Sequence, residues 1–327
     1  MREQMKRRVA RIGPSTLMVS LPSKWCKERD LHKGDEIEVA EGENKTLIIG
    51  ASPPEKKLKE ITLDLNKFKY YPRHLIATAY KAGYDKIIAK YTSEKEKRDV
   101  ENILTYTCLG YSILEETKDH LVIKDLAGSD EKEFKPVLRR VFYLATEISH
   151  NTLEFAKTGN RDKLAELISN RRTFHKHGDF CRRIINQNLP LDHKYPAIVF
   201  QIIKSLETIT WAYQSFALSL VGIGTEVISL PIGFNLPQKI KMRKIEPKVI
   251  FLLEKINQQV TLLPSLFYTP TIEKVDAYYY NIIKLMQEFR EKSFQYRGGE
   301  EVQIWSTIFS VIVSLRDMRG ALLTLNF

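Results

Sequence analysis

The chain has 327 residues, of which 43% are hydrophobic and 28% are charged, as in ordinary folded globular proteins. This composition excludes a disordered, collagen-like or mucin-like chain, and the length predicts two or three domains. The 51 lysines and arginines outnumber the 40 aspartates and glutamates, so the net charge is +11. A positive excess of this size suits an anionic partner, but a diffuse excess does not identify one.

The three cysteines, Cys26, Cys108 and Cys181, are far apart and form no Cys-x-x-Cys motif. This spacing argues against a disulfide framework and favours a reducing, cytoplasmic location. No apolar run follows the basic start of the chain, so we predict no signal peptide. The longest uncharged stretch, 208–225, contains several hydroxyl side chains and one amide. We interpret it as a buried bundle helix and expect no membrane span.

The first 50 residues carry strand and turn signals. Apolar runs and turn residues predict four strands and one short helix in the order β-β-α-β-β, at 9–12, 17–21, 23–29 (the helix), 36–39 and 46–49. Pro22 stops the second run and suits the first turn of the helix. Such a short unit cannot bury a sufficient core alone. We therefore expect it to pair with a second copy of the chain.

Two polar breaks, at 51–57 and 127–131, divide the rest of the chain. Residues 58–126 alternate strand and helix patterns and predict a small α/β sandwich of order βαβαββ, with a capping box formed by Ser93 and Glu96. Residues 132–327 have helical periodicity. They predict an all-α bundle of two three-helix halves, whose fourth helix is expected to end before Pro264. The expected fold class is a multidomain α+β protein.

Basic side chains are concentrated at the start of the chain. Five of them stand against Glu3 alone, which gives a net charge of +4 over residues 1–11; they are Arg2, Lys6, Arg7, Arg8 and Arg11. A local excess of this kind suits neutralisation of a nucleic-acid backbone, and a dimer would double it. A solvated tail is the simpler alternative.

Three motifs in this region resemble the AbrB/SpoVT/MazE swapped-hairpin family. They are the basic residues from Arg8 onward before Gly13-Pro14-Ser15, the apolar strand that ends in Leu21-Pro22 with a short helix after it, and Leu31-His32-Lys33-Gly34-Asp35 before a further strand. The resemblance implies that residues 1–50 form an interleaved homodimer, a swapped-hairpin β-barrel that binds double-stranded DNA. By position, the implied DNA-binding residues are Arg7, Arg8, Arg11, Ser15, Thr16 and Lys24.

The whole chain resembles archaeal proteins that join this hairpin to a phosphate-uptake-regulator (PhoU-like) bundle. The resemblance implies domains at 1–50, 58–126 and 132–327, and a transcription regulator whose bundle senses or relays a signal in phosphate homeostasis. PhoU-like bundles carry Glu-x-x-x-Asp motifs that hold metals, but here Trp211 stands four positions after Glu207. We therefore predict no metal and no cofactor.

Two other functions stay open at this point. A protein–protein adaptor would regulate a phosphate transporter or a signalling component without binding DNA, and a bundle that binds metal or polyphosphate is the third hypothesis. No nucleophile elbow, P-loop or His-Glu-x-x-His pattern is present, so we predict no enzyme and no catalytic residues.

Residues 171–183 combine basic side chains with the one His/Cys/Asp group of the sequence: His175, His177, Asp179 and Cys181. On a helix these four potential ligands point to two faces, which does not close a tetrahedral metal site. We expect surface polar residues there. A second basic group lies at 239–248. Solvated surface is the simpler interpretation of both basic groups, and binding of an acidic protein, a nucleic acid or phosphate is the alternative.

Overall fold

The structure, a computed structural model, describes residues 6–42, 46–51, 58–68, 73–126, 131–187, 195–223, 236–293 and 300–327. The contacts divide the chain into two compact units, Met1–Leu58 and Lys59–Phe327. Several expected features lie outside the described residues: the first five residues, most of the turn at 42–44, and nearly all of both polar breaks.

The first unit contains two separate antiparallel hairpins and a short helix. In chain order these are β1 (Val9–Ile12), β2 (Thr16–Val19), α1 (Ser23–Glu28), β3 (Ile37–Gly42) and β4 (Thr46–Ala51). β1 pairs with β2, and β3 pairs with β4. Gly13 turns the first hairpin at φ 72°, a left-handed conformation that glycine adopts without steric cost. The predicted β-β-α-β-β order is confirmed.

The second unit begins with a four-stranded mixed sheet of order β5-β6-β8-β7. Its elements are β5 (Glu60–Asp64), α2 (Arg73–Lys81), β6 (Lys86–Lys90), α3 (Glu94–Thr107), β7 (Tyr111–Glu116) and β8 (His120–Asp125). β5 and β6 are parallel because α2 crosses between them, while β7 and β8 form a hairpin. Ser93 and Glu96 form the predicted capping box. The order βαβαββ is therefore confirmed.

Six helices follow the sheet in the described part of the chain. They are α4 (Phe134–Thr158), α5 (Arg161–Asn186), α6 (Pro196–Ser219), α7 (Pro247–Tyr268), α8 (Ile272–Ser293) and α9 (Glu300–Thr324). Their apolar faces form one core. Residues 208–219 of the stretch predicted as a buried helix lie in α6, and Ile209, Ala212 and Phe216 from this part are buried in that core. Within the described ranges, no helix is long and apolar enough to cross a membrane.

The predicted end of α7 at Leu263 is wrong. The helix runs through Pro264 and ends at Tyr268. Proline removes one backbone hydrogen bond, but Leu266 and Phe267 beyond it are buried in the core. Packing of these two side chains holds the last turn in the helix, an effect that local sequence propensity does not include.

One arginine of α5 connects the helices to the sheet. Arg183 is completely buried, and its Nη1 donates hydrogen bonds to the backbone oxygens of Tyr80 at 3.0 Å and Tyr84 at 2.7 Å. Its Nη2 contacts the carboxylates of Asp125 at 3.2 Å and Asp85 at 3.4 Å. A buried guanidinium is tolerated only with such a full set of acceptors. Arg183 therefore fixes α5 against the sheet.

We expect Arg183→Met to lower the free energy of unfolding by about 3–5 kcal/mol, because the substitution removes the charge and the hydrogen bonds that Arg183 supplies to Asp85 and Asp125. Arg316→Met is the matched control, since Arg316 pairs with Asp317 on the surface. It is expected to cost only ~0–1 kcal/mol. Urea unfolding followed by circular dichroism measures both changes. Equal losses in the two variants would contradict the role assigned to Arg183.

Candidate functional site

The basic residues of the first unit lie on an exposed hairpin and on the helix after it. All six residues predicted to bind DNA are exposed: Arg7, Arg8, Arg11, Ser15, Thr16 and Lys24. Arg11, Ser15 and Thr16 lie at or next to the hairpin turn at Gly13, whereas Arg7 and Arg8 precede β1 at the open end of the hairpin. Lys24 is the second residue of α1.

The strands of this unit also expose large apolar side chains. Val9 and Leu17 of the first hairpin are 63% and 67% exposed, and Val39 and Leu47 of the second are 57% and 66% exposed. No residue of the first unit whose burial the structure describes is buried. Two-stranded hairpins are marginal without a packed face, so this unit needs apolar cover from another surface.

A tight turn connects α1 to β3. Asp30 adopts a left-handed φ of 52°, and the backbone N–H of His32 donates a hydrogen bond to Oδ2 of Asp35 at 2.6 Å. Gly34 has a φ of 103°, which a residue with a Cβ rarely adopts. The Leu-x-x-Gly-Asp motif is therefore a structural turn that sets the direction of β3.

A second charged feature is buried among the helices of the other unit. Four of its side chains lie on one face of α5, because their spacing of four, four and three residues matches the helical repeat. We name it the buried charge cluster: Lys81, Arg171, His175, Asp179, Arg182, Lys204 and Glu207. The expectation that residues 171–183 form a solvated surface is wrong here, since Arg171 is 9% exposed, Arg182 is buried and Asp179 is fully buried.

Arg182 connects the two carboxylates of the buried charge cluster. Its Nη2 lies 2.7 Å from Oδ1 of Asp179, and its Nη1 lies 2.9 Å from Oε2 of Glu207. Lys204 contacts Glu207 at 2.9 Å. The ring of His175 lies between the same two acids, 3.6 Å from Asp179 and 3.3 Å from Glu207. The guanidinium of Arg182 thus links α5 to α6 through Glu207 and also holds Asp179 on its own helix.

Burial and neighbouring charge shift the pKa values in this cluster. Burial alone would raise the pKa of Glu207, but the hydrogen bond and charge of Arg182 outweigh it and hold that pKa well below its usual range. Burial lowers the pKa of His175, although Asp179 opposes that shift. Burial also lowers the pKa of Arg171 to about 10. Glu207 therefore stays ionised at neutral pH.

The arrangement of these groups does not suit a metal ion. The carboxylate of Glu207, the acid that the PhoU-like resemblance compares with metal ligands, is held by Arg182 and Lys204. In the part of the chain that the structure describes, no group of three or more His, Cys, Asp and Glu side chains is placed to hold a metal. Burial raises the pKa of the Cys108 and Cys181 thiols, which disfavours the reactive thiolate.

Comparisons of the chain with protein-family models, with curated proteins and with solved structures found no match. The functional argument therefore depends on the residues themselves. Sequence reasoning located the basic hairpin but missed the burial of the charge cluster. The regular spacing of Arg171, His175, Asp179 and Arg182 on one helix face was the available signal.

The lowered pKa of His175 predicts a loss of stability in mild acid. The unfolded chain protonates this histidine near pH 6.5, while the folded chain keeps it neutral to lower pH, so the free energy of unfolding falls as the pH drops below about 6.5. Glu207 contributes only below its ordinary pKa of 4.5. We therefore expect His175→Gln to reduce the loss of stability between about pH 7 and pH 5.

Urea unfolding at a series of pH values measures this difference. His150→Gln is the control, because His150 is exposed on α4 of the same unit. It should lose stability with falling pH as the unchanged protein does. An identical loss in His175→Gln would contradict the assignment.

Proposed function

We propose that this protein is a DNA-binding transcription regulator. In this proposal the first unit forms an interleaved homodimer, a swapped-hairpin β-barrel whose basic residues contact double-stranded DNA. The observation that carries the proposal is the combination of exposed apolar strands and exposed arginines within one hairpin. The apolar side chains need a partner surface that removes them from water, and the arginines favour an anionic partner.

A second copy of the same chain is the simplest source of the missing core. A symmetric dimer covers identical patches at once, because each copy offers the other the surface that it needs. The hairpins also leave unpaired backbone groups along their outer edges, and strands of a partner chain can satisfy them. The same pairing would bring two sets of Arg8 and Arg11 into one assembly and double the positive charge that faces the phosphates.

The helices are proposed to sense or relay a signal. The resemblance to archaeal PhoU-like regulators suggests a role in phosphate homeostasis. The supporting observation is physical: buried charges connect α5 to the sheet and to α6, so a ligand that alters those charges would change how the helices pack. In this proposal, that change in packing is the signal that the regulator receives.

Substitution of the hairpin arginines tests DNA binding. We expect the affinity of the full chain for duplex DNA to fall with salt, with a log–log slope of about −4 to −5 for a dimer that neutralises ~4–6 phosphates. Arg8→Ala and Arg11→Ala should each weaken binding and make this slope shallower, since every dimer then loses two contacts. Fluorescence anisotropy on random duplex and on DNA upstream of the gene measures both quantities.

Arg139→Ala is the control for this experiment, because Arg139 is exposed on α4 of the other unit. It should bind DNA as the unchanged protein does. Unchanged binding in both hairpin variants would overturn the assigned residues. The absence of binding at low salt would overturn the regulator proposal and favour the adaptor.

The dimer proposal predicts that a charge on the apolar hairpin separates the two chains. We expect the full chain to sediment with about twice the mass of 38.0 kDa. Leu17→Asp should shift the protein to the monomer, because the substitution would place a charge in the core of the dimer. Leu114→Asp, at an exposed position in β7, should stay dimeric. A monomeric unchanged protein, or a dimeric Leu17→Asp variant, would contradict the proposal.

A further inference from the structure

The buried charge cluster holds more positive than negative charge. Four permanent cations stand against two carboxylates when His175 is neutral; the cations are Lys81, Arg171, Arg182 and Lys204, and the acids are Asp179 and Glu207. Arg182 contacts both acids, Lys204 shares Oε2 of Glu207 with it, and the ring of His175 faces the other oxygen of each acid. Oδ2 of Asp179 accepts no hydrogen bond among the described residues, and neither acid forms an ion pair with Arg171 there.

In the described part of the chain, Arg171 is the cation of the cluster that forms no ion pair with either acid. It is 9% exposed, and it forms no ion pair within 4.0 Å among the described residues. Its Nε is enclosed and has no hydrogen-bond partner in the same part of the chain. The guanidinium lies 5.7 Å from the centre of the Phe174 ring, and the charges of Glu207 and Asp179 act on it from a longer distance than an ion pair. An enclosed guanidinium nitrogen without an acceptor is costly, and an anion would remove that cost.

The chemistry of the site selects the class of anion. A guanidinium presents parallel N–H donors that match two oxygens of a phosphate, sulfate or carboxylate group. His175 lies one helical turn from Arg171 on the same face of α5, and its two ring nitrogens face Asp179 and Glu207. Lys204, whose side chain is mostly exposed, adds a positive charge at the rim of the cluster, where it pairs with Glu207. Arg171 is therefore the cation of the cluster that is left for an oxyanion.

We propose that Arg171 anchors a binding site for a small oxyanion between α5 and α6. The anion completes the charge balance of the cluster. Lys81 of α2 approaches Asp179 at 3.9 Å, so the site also borders the contact between the sheet and the helices. An anion bound there acts on the packing of these two parts. The site does not depend on DNA binding by the first unit.

Thermal unfolding of the full chain, without DNA, tests this site. The probes are inorganic phosphate, sulfate and citrate, each compared with sodium chloride at equal ionic strength. Binding to the folded state raises the melting temperature as the anion concentration increases. The anion that acts at the lowest concentration identifies the preferred group: phosphate or sulfate for a tetrahedral site, citrate for a carboxylate site. All three responses support the oxyanion class.

Arg171→Met provides the decisive comparison. It should weaken anion binding at least about tenfold, because the anchoring cation is lost. Without anion it should melt at the same temperature as the unchanged protein or higher, because it removes a buried unpaired charge. A merely structural role for Arg171 predicts the opposite, a lower melting temperature. Arg139→Met, at an exposed position, is the matched control and should respond to anions as the unchanged protein does.

Two outcomes would overturn the proposal. Sulfate and phosphate stabilise proteins generally by exclusion from the surface, so an equal rise in Arg171→Met and in the unchanged protein would show only that general effect. The absence of any rise with all three anions would show that the cluster binds none of them. Neither outcome affects the DNA-binding proposal, which is measured separately on the hairpin.

Discussion

The first unit has apolar strands and no described side chain that is buried. The first hairpin exposes Val9 and Leu17, and the second exposes Val39 and Leu47. Burial of apolar surface is the main favourable contribution to folding, and a β-rich unit of this size has little else to stabilise it. The unit therefore needs an apolar surface to cover it. In the proposed dimer, this cover and the doubled basic surface would come from the same pairing.

The second unit contains buried charged side chains, which are stable in a packed interior only when other groups pair with them. Arg183 binds backbone oxygens at the end of α2 and just after it, together with the carboxylates of Asp85 and Asp125, and Arg182 bridges acids on α5 and α6. Arg183 therefore joins elements of two separate apolar cores, while Arg182 joins two helices of one core. Arg171 lies on the same helix and makes no ion pair with these acids among the described residues, and this contrast is the basis of the proposed anion site.

Much of the fold was predictable because its signals are local. Alternating apolar residues, turn glycines and the Ser93–Glu96 capping box each depend on a few neighbouring positions, and the corresponding strands and helices lie close to where they were expected. The basic hairpin was predictable for the same reason, since charge and turn residues are adjacent in the sequence.

The rest depends on contacts between distant residues. The last turn of α7 is held by burial of Leu266 and Phe267, which a local pattern around Pro264 does not reveal. The charged residues of α5 were predicted to lie on the surface, because charged residues are usually exposed. Their burial follows from Glu207 on the next helix and from Asp85 and Asp125 in the sheet, all far away in sequence.

The most direct test of the central claim is amide hydrogen exchange of the full chain as a function of protein concentration. If the first unit takes its core from a partner chain, the amides of β1 to β4 should be protected at high concentration and should lose protection on dilution. The amides of β5, β6 and β8 should stay protected throughout, because their sheet has its own core. Protection of β1 to β4 that does not change with concentration would contradict the account.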